Sequence, residues 1–393
     1  RFWKEHKTKQ ALLVTGARQV GKSYLIDEFA RQSYPHVVSF DFVKNPVAAK
    51  ALAEAGDAAD FAFRVSVLSQ EPLVPGKTVV VFDEIQACPD VLTYVKYLVD
   101  QGDYDYILSG SLLGVALEGV RSLPVGYVTE VQMYPLDFEE FCWAQGLPDS
   151  VLPSLAQNAV RAEPVPDYLH DRLTTLFKRY LIVGGMPDVV VSYGTSNALD
   201  QVRVLQRDIR RLYREDIAKY APKDRRLVIQ DIYELVPSEL LTPSKRFRLN
   251  SIPDVKRFTQ VEDEFLWLTR AGVALDETAV TEPVMPLLAA KKKGAVKPFL
   301  SDVGLLMGSY VKQTAAALLG DEASVNLGGV YENYVVQELV AHGFDAHYYS
   351  GKRVGELDAV VERDDGEILL FEVKSGTSYK THAALDNALA TWP

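Results

Sequence analysis

One stretch constrains this chain more than any other. The apolar run Ala11–Thr15 leads into Gly16, Ala17, Arg18, Gln19, Val20, Gly21, Lys22 and Ser23, and an amphipathic segment opens at Tyr24. Gly-x4-Gly-Lys-Ser between a short strand and a helix is the context that a phosphate-binding loop requires. Glycines let the backbone N–H groups curl round a phosphate, and the helix N-terminus adds the positive end of its dipole. The spacing predicts that residues 16–24 cradle a nucleotide, with Lys22 on the β- and γ-phosphates and the Ser23 hydroxyl on Mg²⁺. A strand, such a loop and a helix also predict an α/β domain with a parallel sheet.

A second run, Thr78 to Phe82, suits a strand buried on both faces, and it ends in Asp83 and Glu84. Acids at the carboxyl end of a parallel strand sit where ligands bind. Asp83 is expected to support Mg²⁺, and Glu84 to orient and deprotonate an attacking water, which implies hydrolysis. Segment 36–42 reads as another strand, and 104–108 as a further one that ends in Ser109, Gly110 and Ser111. Ser109 or Ser111 is a candidate γ-phosphate sensor; the alternative is a Ser-Gly turn or a helix N-cap.

The strings "GARQVGKSYLIDEFA", "VVFDEIQ", "LSGSLLGVAL", "LPVGYVTEVQMYPLDFEEF" and "VGGMPDVV", with "FLSDVGLLMGSY" and "YENYVVQELVAHGF" beyond them, form a recognisable set. Together they resemble the bacterial and archaeal AAA-type ATPases that carry a conserved C-terminal domain of unknown function, over nearly the whole chain. The resemblance implies ATP and Mg²⁺ as cofactors. Where that group carries Lys or Arg after Pro-Val-Gly, this chain has Tyr127, with Arg121 nearby.

Prolines at 148, 153, 164 and 166 mark a linker, and helical spacing resumes at Leu173, Leu176, Phe177 and Tyr180. Gly184, Gly185 and Pro187 read as punctuation between two helices. Arg207, Arg210, Arg211 and Arg214 are candidates for an arginine finger reaching a neighbouring copy, or for a solvated helix face with Arg–Asp pairs. A stripe of Phe258, Val261, Phe265 and Leu268, a C-cap at Gly272 and a strand with Val273 and Leu275 suggest a winged-helix unit. Lys245, Arg246, Arg248, Lys256, Arg257, Lys291, Lys292, Lys293 and Lys297 are its candidate phosphate contacts. Winged helices also serve as protein-interaction modules, so DNA contact and protein contact both stand.

Near the C-terminus, Val335, Val336, Leu339 and Val340 predict a helix facing a core. Glu356 and Asp358 share one face of a strand. Asp364, Asp365 and Gly366 supply a hairpin turn, and the returning strand carries Glu372 and Lys374 on one face. The spacing resembles the PD-(D/E)XK nuclease superfamily. That resemblance implies Asp358 and Glu372 as Mg²⁺ ligands, Lys374 as the residue polarising water, and Glu332 as a joining acid. Exposed hairpins also carry Glu and Lys as cross-strand ion pairs. The sheet is read either as a site that cuts nucleic acid or as a fold that docks DNA or a partner protein without cutting.

Composition bounds these readings. The chain has 393 residues and a formal charge of −11, so contacts with nucleic acid need local basic patches. Two isolated cysteines and six scattered histidines argue against a disulfide framework or a His/Cys metal site, and suit a reducing, cytoplasmic location. No apolar run has the length of a membrane span. The expected organisation is an AAA-type ATPase core at 1–147, a helical and winged-helix region at 148–300, and a PD-(D/E)XK-like α/β domain at 301–393. The expected partners are nucleic acid and further copies of the chain.

Overall fold

The computed structural model describes residues 2–6, 9–111, 126–320, 322, 326–375 and 381–392. The chain divides into two compact units, Arg1–Met133 and Tyr134–Pro393.

The first unit is built on five parallel strands, β1 (Ala11–Thr15), β2 (His36–Asp41), β3 (Thr78–Asp83), β4 (Asp105–Ser109) and β5 (Val128–Gln132). Their spatial order is β2-β3-β4-β1-β5. Every residue of β3 is buried, as its unbroken apolar run requires of a central parallel strand. Phe82 anchors one face, with ring centroids 5.8 Å from Phe40, 5.9 Å from Phe42 and 6.1 Å from Phe61. Burying one such ring contributes roughly 1.5–3 kcal/mol. The crossover helices start where their sequences direct. Asn45 accepts a hydrogen bond from Ala48 N ahead of Pro46–Ala53, and Asp57 accepts one from Asp60 N ahead of Ala58–Leu68. Because all five strands run the same way, Gly16, Asp83 and Ser109 follow or end their strands at one edge of the sheet.

The second unit opens with helices, among them Phe138–Ala144, Asp167–Val183, Pro187–Ser196, Leu199–Tyr220, Arg226–Glu239 and Glu262–Arg270. The glycine pair at 184–185 does separate two of them. Gly185 lies so close to Leu136 that an added Cβ would be 1.9 Å from the Leu136 carbonyl oxygen, and its N–H donates to the fully buried Asp302 at 2.6 Å. Two of the motifs, "VGGMPDVV" and "FLSDVGLLMGSY", are thus one packing knot.

A five-stranded mixed sheet follows: β6 (Ala274–Val280), β7 (Lys291–Leu300), β8 (His347–Gly351), β9 (Gly355–Glu362) and β10 (Ile368–Phe371), in the order β10-β9-β8-β6-β7. Val261, Phe265 and Leu268 are buried as expected and Gly272 takes φ +73°. The strand that follows, β6, pairs antiparallel with β7 and is also joined in parallel by β8. A boundary at 300 would cut between strands of this one sheet. Helix Gly328–Ala341 departs from the reading in part: Val336 is buried as expected, Val335, Leu339 and Val340 are half-buried, and Glu332, Asn333 and Gln337 are buried beside Gly329, Val330 and Val336. Asn333 exchanges hydrogen bonds with both backbone groups of Leu300, and Gln337 accepts from Val303 N. The helix faces an irregular backbone that needs partners, so its buried face includes polar residues.

Candidate nucleotide site and the C-terminal acidic cluster

The loop between β1 and helix Lys22–Ser33 is shaped by backbone that side chains tolerate poorly. Gly16 has φ +138°, Gln19 +67° and Gly21 +92°. A Cβ on Gly16 would lie 2.3 Å from the Met133 carbonyl oxygen. No side chain caps the helix that starts at Lys22, so its first N–H groups remain for an anion. Lys22 is 6% exposed, and its ammonium donates to Gly16 O at 3.0 Å and Ala17 O at 2.7 Å. Burial pushes its pKa down to about 8, against the opposing pull of Glu84 and Asp83. Ser23 and Tyr24 are exposed at the loop's exit.

The acids face the same edge. Asp83 is buried and accepts a hydrogen bond from the Ser109 hydroxyl. Glu84 sits in a left-handed conformation at φ +57°. One of its oxygens accepts from Gln86 Nε2 and from Ser111 Oγ at 3.3 Å, and Gln86 Nε2 also reaches Ser111 Oγ at 3.2 Å. Both serines are therefore tied to the acid pair, one to each. Gln86 carried no expectation; its only signal was its place in the fourth position of the Asp-Glu-Ile-Gln string. Asp41 ends β2 directly opposite Asp83 and pairs with Lys44 at 2.8 Å. Tyr127 packs into the core beneath Lys96, whose ammonium lies 5.3 Å from the ring centroid. Arg121 lies outside the described residues. Hard oxygens from Ser23, Asp83 and Glu84 beside an uncapped helix N-terminus form a donor set that suits Mg²⁺ and a triphosphate.

The arginines of helix Leu199–Tyr220 separate into two groups. Arg203, Arg207, Arg210 and Arg214 line a cavity of about 260 Å³ with Val204 and Gly308. Arg210 and Arg214 share Glu234 at 3.2 and 3.3 Å. Arg211 is turned to surface partners, Asp208 and Glu215.

In the second sheet the expected ligands are already engaged. Asp358 Oδ2 accepts from Val373 N at 2.7 Å, Glu372 Oε2 from Leu385 N at 3.0 Å, and Glu372 Oε1 pairs with Lys374 at 2.7 Å. Among the described residues, no three of Glu277, Glu332, Glu356, Asp358 and Glu372 bring ligand oxygens within 4.8 Å of one another. No three-carboxylate cage is therefore formed there among the described residues. Among the described residues, the one group of three that does converge so closely is Asp137, Glu338 and His342, where the Glu338 carboxylate already accepts from Phe138 N at 3.1 Å.

The basic residues expected to meet phosphates are also partly engaged. Lys245 pairs with Glu332, Arg246 with Glu356 at 3.7 Å and Arg248 with Glu239 at 2.9 Å, while Lys297 is fully buried. For Lys245 and Arg248 the reason is the same: the buried carboxylates of Glu332 and Glu239 need a cation. Lys256, Arg257, Lys291, Lys292 and Lys293 remain exposed. Burial pushes Glu277 well above the ordinary carboxylate range, with Lys297 opposing. Glu332 rises to about 7 for the same cause, again opposed by Lys297.

Comparison with known proteins agrees with the first unit. Residues 8–142 match the family model described as an AAA domain. Residues 174–314 and 327–390 match two domains of unknown function, DUF8612 and DUF4143. No curated protein sequence matches. Among solved structures, the Walker-type ATPase PABY2304 of Pyrococcus abyssi is 13% identical with a TM-score of 0.43, covering 78% of this chain and 92% of that one. The Orc1 protein of Aeropyrum pernix in complex with DNA is 13% identical, TM-score 0.25, covering 80% and 87%. RuvB of Thermotoga maritima is 16% identical, TM-score 0.26, covering 71% and 83%. No helix among the described residues is long and apolar enough to cross a membrane. With its phosphate-binding loop, acid pair and parallel sheet, the N-terminal part of this chain is a nucleotide-binding P-loop ATPase domain of the AAA type.

Proposed function

We propose that residues 16–24 bind Mg–ATP, that Glu84 drives its hydrolysis to ADP and phosphate, and that the second unit uses this cycle to hold and release nucleic acid without cutting it. The observation that carries the hydrolytic reading is the pinning of Glu84 by Gln86 and Ser111 at the sheet edge that holds the loop. Lys22 would leave its two loop carbonyls for the β- and γ-phosphates, which replace a neutral partner with an anionic one. Ser23 and Asp83 would hold Mg²⁺, with Ser109 fixing the Asp83 carboxylate. Mg²⁺ neutralises charge on the transferred phosphoryl group. Glu84 takes the proton from the attacking water, and Ser111 and Gln86 keep the carboxylate aimed.

The non-cutting reading is favoured by the engaged state of Asp358, Glu372 and Lys374. The nucleic-acid reading draws on the four-arginine cavity, where one carboxylate, Glu234, faces Arg210 and Arg214 on a chain of net charge −11. Arginine forks suit phosphate oxygens. Lys22→Ala should lose ATP binding in a filter or calorimetric assay; unchanged binding would rule out the loop. Incubating wild type and Lys374→Ala with DNA, Mg²⁺ and ATP should leave the DNA intact in both. Cleavage by wild type that vanishes in Lys374→Ala would reinstate the nuclease reading.

A further inference from the structure

Strands β6 and β7 set Glu277 directly opposite Lys297, and both side chains are completely buried. The Lys297 ammonium lies 2.7 Å from Glu356 Oε1 and 3.7 Å from Glu332 Oε2, and 4.7 Å from the centroid of the Tyr348 ring. Three carboxylates from three elements, β6, β9 and helix Gly328–Ala341, thus surround one ammonium. Among the described residues, both carboxyl oxygens of Glu277 and Oε2 of Glu332 have no hydrogen-bond partner. Buried carboxylates are strongly unfavourable unless a cation or a proton balances them. A divalent ion is one way to balance such a set, and a lysine is another.

We infer that the Lys297 ammonium is the resident cation of this cluster, a tethered substitute for a divalent ion. Three observations carry this. The ammonium already sits among the acids that would have to turn inward onto an ion. Glu372 is committed to Leu385 N and Lys374, and one oxygen of Asp358 to Val373 N, while the Asp358 charge still acts on Glu277 and Glu332. Lys297 is also fully enclosed, which keeps any phosphodiester from touching it and excludes a role as a water-polarising lysine. An ammonium carries one charge and three donors, so it balances and orders carboxylates but cannot bind and acidify a water as a metal does. Arg246, 5.4 Å from the same Tyr348 ring, and Lys245 on Glu332 complete the neutralisation from the rim.

This inference deepens the non-cutting reading of the sheet. DNA cleavage tests that reading, whereas metal uptake without nucleic acid tests this one, so the two can fail separately. The experiment is Mn²⁺ binding to the full chain by equilibrium dialysis and electron paramagnetic resonance, with no nucleotide present. Wild type should show no stoichiometric site, and Mn²⁺ should leave its Tm unchanged. Lys297→Met keeps the stem and removes the charge. It should melt below wild type, take up one Mn²⁺ per chain at least about tenfold more tightly than wild type does, and recover Tm when the ion is added. Adding Glu277→Gln or Glu332→Gln to Lys297→Met should erase that gain. If Lys297→Met folds only when refolded with Mn²⁺, the substitution of one cation for the other is demonstrated directly. Stoichiometric Mn²⁺ on wild type that is lost in Glu332→Gln or Asp358→Asn overturns the inference. So does a folded Lys297→Met that binds no ion.

Discussion

The state of Lys22 makes ATP affinity depend on pH in a calculable way. Its ammonium is buried against two loop carbonyls, at 3.0 Å from Gly16 O and 2.7 Å from Ala17 O, and burial lowers its pKa to about 8. Phosphate oxygens would hold the proton firmly, so the bound form stays charged while the free form loses its proton as pH rises through about 8. The sign follows: binding takes up a proton above that pH, and affinity falls as pH rises. At pH 7 about nine-tenths of the free lysine is charged, and at pH 9 about one-tenth. The affinity for Mg–ATP should therefore drop about tenfold between them, roughly 1.4 kcal/mol. Near pH 8 each binding event should take up about half a proton. Calorimetry in two buffers of different ionisation enthalpy reads both quantities. Lys22→Arg keeps its charge throughout and should flatten the profile while binding more weakly. A wild-type affinity that is flat from pH 7 to 9, with no proton uptake, would refute the reasoning. An equal tenfold fall in Lys22→Arg would do the same.

Other consequences can be checked alongside. Gln86→Ala and Ser111→Ala each remove a hydrogen bond on Glu84 and should lower kcat by about tenfold with ATP binding kept; a change in binding alone would deny them this role. Gly185→Ala places a Cβ 1.9 Å from the Leu136 carbonyl oxygen and should destabilise the second unit by at least about 3 kcal/mol in a denaturant melt. Gly343→Ala meets nothing within 4 Å and strains only its φ of +85°, so about 1–2 kcal/mol is expected there. Arg207→Glu in the four-arginine cavity should weaken DNA binding and lower the slope of log affinity against log salt, read by fluorescence anisotropy; an unchanged slope would remove this helix from the nucleic-acid reading.

The parts of the fold that were legible in the sequence are those whose physics is local. A phosphate loop needs glycines at positive φ between a strand and a helix start, and Gly16 and Gly21 say so within eight residues. The acids after β3 follow from the same sheet logic. What stayed hidden depends on distant pairing. Nothing near residues 273–275, read as part of a wing, reveals that Thr278 will sit opposite His347, 69 positions on. Once that sheet forms, Lys297 moves from an expected DNA contact to a buried counter-ion. Helix Gly328–Ala341 misled in another way. Its apolar residues predicted the core face, and Val336 does turn inward, but the chain beside it, at Leu300 and Val303, presents bare backbone groups, so Asn333 and Gln337 turn inward with it. The hairpin from Glu356 to Lys374 was legible as a hairpin. The bond from Leu385 N to Glu372 was not, because it depends on where Leu385 returns.

The central claim is that Glu84 is the base of an ATPase. Its most direct test is single-turnover phosphate release from Mg–ATP by wild type and Glu84→Gln, with nucleotide affinity measured on the same samples. The account predicts equal affinity within a few fold and a loss of release of about 10²–10⁴ in Glu84→Gln. Release at the wild-type rate from Glu84→Gln would contradict it.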